Sequence, residues 1–93
     1  MIRSFADKTT EELFDTGKSR KVPADVWRRA LWRLQLLDKT RDVQELRQPL
    51  SNRLHVLQGD RKGQYSIAVN DQWRICFRFE NEDAYDVEFC DYH

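Results

Sequence analysis

Glycine, proline and cysteine are all scarce in this chain, with three, two and two copies in 93 residues. So little Gly and Pro excludes a collagenous, linker-like or low-complexity chain. The two thiols, Cys76 and Cys90, lack a Cys-x-x-Cys spacing and so read as small hydrophobes, not as a disulfide framework or a zinc site. No apolar run approaches the roughly 20 residues a membrane helix needs. The opening residues 1–12 carry no export-signal stretch, so the expectation is a soluble protein of the cytoplasm with no membrane partner. Gly-x-Gly-x-x-Gly, phosphate-loop and His-Glu-x-x-His patterns are missing too. The two histidines, His55 and His93, make no metal set, so no cofactor is expected.

Packing material and charge are plentiful. Hydrophobic residues make up 40% of the chain, with three Trp and five Phe, and the length suits one domain over residues 1–93. Sixteen basic residues balance sixteen acidic ones, but they are segregated. Lys18 to Arg33 holds six cations against Asp25 alone, whereas Glu80 to the end holds six acids and no Lys or Arg. A basic segment of this kind permits a nucleic-acid or protein partner and equally permits a solvated helix face.

The spacing of Thr9 and Glu12 predicts a capping box opening a short helix that carries Leu13 and Phe14 inward and stops at Gly17. Behind Pro23, Val26, Trp27, Ala30, Leu31, Leu34 and Leu37 recur at three- and four-residue steps, the pattern of an amphipathic helix. Arg28, Arg29, Arg33 and Gln35 then fall on its outer face. Residues 38–52 read as one further helical turn and a loop, broken at Pro49. From Arg53 the period becomes two. Strands are expected at 53–58, 64–69, 73–79 and 84–90, joined by turn-prone segments such as Gly59-Asp60-Arg61-Lys62-Gly63, and short loops of this kind make an antiparallel meander. Ile2 to Phe5 alternates weakly and suits a short strand. The predicted architecture is α+β, with two N-terminal helices packed on one face of a twisted antiparallel sheet.

Alternation also sorts the faces. Leu54, Val56, Tyr65, Ile67, Val69, Trp73, Ile75, Phe77, Phe79, Tyr85, Val87 and Phe89 form the helix-covered side. His55, Arg74 and Tyr92 share the other. Pairing Phe79 with Tyr85 sets Arg78 opposite Asp86, Arg74 opposite Cys90 and Gln72 opposite Tyr92, while Cys76 is not opposite Cys90, so no cross-strand disulfide is expected. A guanidinium fork can hold a phosphate, and His can exchange protons near neutrality. That inventory suits metal-independent RNA cleavage.

Several segments together resemble the HigB toxins of bacterial toxin-antitoxin modules. They are Arg53-Leu-His55, Gly59-Asp60-Arg61, Gly63-x-Tyr65-Ser66-Ile67, Asn70-Asp-Gln-Trp73-Arg74-Ile-x-Phe77 and the ending Asp91-Tyr92-His93. The opening Met1-Ile2-Arg3-Ser4-Phe5 and Glu12-Leu-Phe-x-x-Gly17-Lys18 extend the likeness over essentially the whole chain. The resemblance implies a RelE-like fold and a ribosome-dependent endoribonuclease that cuts messenger RNA in the decoding site of the 70S ribosome. It also implies neutralisation by a HigA-type helix-turn-helix antitoxin and contact with operator DNA only through the antitoxin complex. By the matching motifs, His55, Arg74, Asp91, Tyr92 and His93 would be catalytic. Arg53, Gln58, Arg61 and Lys62 would contact RNA. Asp91 should point to the core side if its strand runs regularly, so it would orient a neighbour. Some relatives carry Lys where this chain has Gln58, which hydrogen-bonds without bringing charge; Arg61 or Lys62 would then substitute. The alternative is a non-catalytic or gyrase-directed module on the same fold, acting through antitoxin and operator binding.

Overall fold

A computed structural model describes residues 1–91, so the expectations placed on Tyr92 and His93, including the pairing of Gln72 with Tyr92, lie outside the described residues. Helix α1 spans Lys8–Thr16 and α2 spans Trp27–Lys39. Strands β1 (His55–Val56), β2 (Tyr65–Ala68), β3 (Trp73–Glu80) and β4 (Asp83–Asp91) follow in one antiparallel sheet whose spatial order is the chain order.

Helix α1 begins earlier than a Thr9/Glu12 capping box would set it. Asp7 is the cap, accepting from the Thr10 backbone N–H at 2.7 Å, and its carboxylate also faces the positive end of the helix. Thr10 is buried and accepts instead from the Phe89 N–H at 2.9 Å, tying the helix to β4. Gly17 closes α1 at φ 77, a left-handed conformation that costs glycine little.

Ala30, Leu34 and Leu37 of α2 join Leu13, Leu46, Ile67, Ile75, Phe77 and Val87 in a core that excludes solvent. Each large side chain buried there contributes about 1.5–3 kcal/mol. Arg33 departs from the expected outer face. It is buried, its Nε donating to the Ala68 carbonyl at 2.9 Å and its Nη2 to Ser51 Oγ at 3.2 Å, so it clamps α2 to the end of β2. Burial, and secondarily the like charge of Arg29, lowers its pKa. Residues 38–52 hold two short 3-10 turns, Val43–Arg47 and Leu50–Asn52, where one turn and a loop were expected. The buried Asn52 amide donates to the Leu46 and Gln48 carbonyls and so folds this stretch onto the core.

In the sheet, β1 is shorter than expected and Val56 is 63% exposed, not core, because β1 is an edge strand of two residues with little to cover it. Residues 59–63 form the expected turn, entered and left by Gly59 (φ 66) and Gly63 (φ 93). Ile2 and Phe5 bridge Ala84 and Val87 in parallel, so the N-terminal segment covers the outer edge of β4.

Arg74 faces Cys90 and Ile75 faces Phe89, as parity predicts, but the register slips by one between Cys76 and Arg78. Asp86, at φ 53, is the extra residue of this bulge. Arg78 therefore lies opposite Tyr85 and not Asp86, although the Asp86 carboxylate still reaches Arg78 Nε at 2.8 Å. The slip puts Ala84 in the core and turns Tyr85 outward beneath the Arg78 guanidinium, 5.3 Å from the ring centre. In urea unfolding, Tyr85→Ala is accordingly expected to cost less than about 1.5 kcal/mol and Ala84→Leu about 1–3 kcal/mol through overpacking. A regular, unbulged strand requires the reverse ranking.

Candidate active site

The helices cover one face of the sheet, and the other carries two rows of side chains. Across the strands, His55, Ser66, Cys76 and Glu88 form one row; Ala68, Arg74 and Cys90 form the next. His55, Ser66 and Cys76 of the first row and Arg74 and Cys90 of the second line an open cavity of about 330 Å³.

Arg74 is the most constrained charge in it. The residue is buried, with Nε donating to Ser66 Oγ at 2.9 Å and Nη2 to the Arg53 carbonyl at 3.0 Å. A buried guanidinium keeps its charge, so fixed acceptors of this kind are what make its burial tolerable. Arg53 supplies its carbonyl from a left-handed conformation, φ 47, sparsely populated by residues other than glycine. Ser66 is a site residue that the sequence alone does not mark out. Its place on the same face, one strand over and beside Arg74, was the available sign.

The other candidates divide. His55 is exposed on β1 and lines the cavity, as do Gln58 and Arg61. Asp91 lines it too, although alternation puts it with its partner Trp73 on the helix-covered side. Arg61 is already engaged: its Nη1 meets Glu88 Oε1 at 3.0 Å and Gln64 Oε1 at 3.1 Å, and the Glu88 bond raises its pKa. Lys62 is exposed and outside the cavity lining. The Arg53 side chain is directed elsewhere, lining a smaller cavity of about 160 Å³ with Arg29 and Arg33 and pairing with Asp71 at 3.3 Å. Both partners are exposed, so that pair adds little.

The cysteines are closer than their register implies. They are not opposite each other, as expected, yet as diagonal neighbours on one face they bring Cys90 Sγ to 3.2 Å from Cys76 Sγ, both reduced. The Cys90 thiol donates to Cys76, which lowers the Cys76 pKa to about 7 and raises that of Cys90. Among the described residues no three His, Cys, Asp or Glu side chains cluster as a metal site, and no helix is long and apolar enough to cross a membrane.

Two helices on one face of a four-stranded antiparallel sheet, with a cationic cavity on the open face, is the architecture of a RelE-like toxin domain. Residues 3–93 match the family model described as RelE-like toxin of type II toxin-antitoxin system HigB, and the chain belongs to that family. It is 43% identical over 93 residues to the Endoribonuclease HigB of Proteus vulgaris, covering 100% of both chains. It is also 34% identical over 80 residues to Toxin HigB-1 of Vibrio cholerae serotype O1, covering 85% of this chain and 84% of that one. An uncharacterized Haemophilus influenzae protein is 27% identical over 81 residues, covering 86% and 80%.

Proposed function

We propose that this toxin is an endoribonuclease that cuts messenger RNA on the translating ribosome, with the cavity around Arg74 as its active site. The observation that carries the reading is a buried Arg74 fork held by Ser66 and the Arg53 carbonyl at the floor of an open cavity, with His55 at its rim. In the reaction, the 2′-hydroxyl of one nucleotide loses its proton and attacks the adjacent phosphorus. The bond to the 5′-oxygen of the next nucleotide breaks, and that oxygen takes a proton as it leaves. Arg74 stabilises the charge that builds on the phosphorane oxygens. His55, Tyr92 and His93 share the acid and base roles, and Asp91 orients a neighbour among them. Gln58 donates a hydrogen bond to RNA, Arg61 brings a charge it shares with Glu88 to the cavity wall, and Arg53 and Lys62 contact RNA outside this cavity. The name of the Proteus vulgaris relative supports RNA cleavage as the chemistry. Membership of a type II toxin family supports an antitoxin partner, here of the HigA helix-turn-helix type, and operator contact through that complex in the cytoplasm.

A second reading has one observation in its favour. Gln58 is neutral and Arg61 is paired with Glu88, which limits the positive charge available to a phosphate. That suits a non-catalytic or gyrase-directed module. A reconstituted translation reaction separates the two readings. The purified chain is expected to cut a message being translated and to leave the same message intact without ribosomes. Absence of cleavage combined with loss of gyrase supercoiling would establish the second reading.

A further inference from the structure

The cavity floor contains a feature that RNA cleavage does not require. Cys76 and Cys90 sit on adjacent strands with their sulfurs 3.2 Å apart, and both line the cavity. Cys76 is only 5% exposed and Cys90 is half-buried. We infer that this pair is a modification site at which a small hydroperoxide closes a Cys76–Cys90 disulfide beneath Arg74 and reversibly shuts the RNA site. The second half of the inference rests on the nuclease reading above; the first does not.

The chemistry balances within the pair and its oxidant. The Cys76 thiolate attacks one peroxide oxygen, the O–O bond breaks, and Cys76 becomes a sulfenic acid with release of hydroxide. Cys90 then attacks the Cys76 sulfur, the S–O bond breaks, and a second hydroxide leaves as Cys90 gives up its proton. Overall, two thiols are oxidised to a disulfide and hydrogen peroxide is reduced to two waters. A thiolate-prone cysteine next to a resolving thiol is the arrangement that reacts this way. The Cys90 thiol donates to Cys76 and favours the anion on it most, and the Arg61 and Arg74 cations add to this against the opposing effects of burial and the Glu88 carboxylate. Once Cys76 is a sulfenic acid, it no longer presents the anion that holds the Cys90 proton.

The geometry also gives the bond a consequence. Closing it brings the sulfurs to about 2.05 Å, and diagonal partners across an antiparallel pair are about 7–8 Å apart at Cα, beyond the roughly 4.4–6.8 Å usual for a disulfide, so the bridge forms only with backbone movement and under strain. Strained bridges are the readily reduced ones. Cys76 is directly opposite Ser66, which holds Arg74, while Cys90 is directly opposite Arg74 itself and precedes Asp91. Drawing the two sulfurs together therefore pulls on both sides of the guanidinium.

The test treats the folded, reduced chain with stoichiometric hydrogen peroxide and measures two things. Intact mass and peptide mapping are expected to show loss of two hydrogen atoms and a Cys76–Cys90 linkage that dithiothreitol reverses. Both thiols remaining alkylatable, or sulfinic acid accumulating without a linkage, overturns the site. In the second measurement, cleavage of a translated message is expected to fall at least tenfold on oxidation and to recover on reduction, while Cys76→Ser, which lacks the attacking thiolate, retains its own untreated rate after the same exposure. Equal rates for the bridged and reduced wild type overturn the switch. If reduced wild type cuts nothing, the nuclease reading and the switch built on it both fail, and the linkage measurement still decides the site.

Discussion

Arg74→Lys is expected to lower cleavage of a translated message by roughly 10²–10³-fold, the usual loss when one preorganised donor to a developing anion is removed. The substitution preserves the charge and removes the fork. Arg74 uses Nε for Ser66 and Nη2 for the Arg53 carbonyl, so its plane is fixed before RNA arrives. An ammonium is a point charge on a flexible stem and cannot hold both acceptors in that geometry while facing a phosphate. The loss should therefore appear in the cleavage step under single-turnover conditions. Ser66 and the Arg53 carbonyl would be left underpaired, so stability should also fall, by about 1–3 kcal/mol. Urea unfolding shows whether the variant remains folded at the assay temperature. A folded variant that cuts at the wild-type rate contradicts the assigned role.

His55→Ala should reduce cleavage by about 10²–10⁴-fold, the range for loss of a positioned acid or base. Its effect on folding is expected to be the opposite of that at Arg74. His55 is exposed on a two-residue edge strand, and surface changes of that kind usually stay within about 0.5 kcal/mol of neutral. The pair of variants thus separates chemistry from scaffold: one loses rate and stability together, the other rate alone. An unchanged rate in His55→Ala would move the proton transfers to other groups.

Much of this architecture was legible because two periodicities are clear. Ala30, Leu34 and Leu37 mark the buried stripe of α2, and alternation through Ile67, Ile75 and Val87 separates the packed face from the open one. The open face then follows, and with it the grouping of His55 with Arg74. The misplacements share a physical cause, since each depends on a tertiary contact that periodicity does not encode. A single inserted residue, Asp86, exchanges Ala84 for Tyr85 in the core, and because both are apolar enough for either face, the pattern does not reveal the slip. Arg33 lies at a polar helical position, but the Ala68 carbonyl at the end of β2 draws it inward. Arg61 carries a charge suited to RNA, but Glu88, 27 positions further along the chain, pairs with it in the fold. The cysteines are not directly opposite, as parity predicts, yet the diagonal across two strands brings their sulfurs together.

Mapping of messenger 5′ ends after inducing the chain in bacteria tests the central claim most directly, with His55→Ala and Arg74→Lys at equal expression. Wild type is predicted to create new ends inside translated reading frames and none on untranslated RNA, and both variants are predicted to create none. Growth arrest by wild type without new ends, or cuts that persist in both folded variants, would contradict the assignment of the Arg74 cavity as a ribosome-dependent nuclease site.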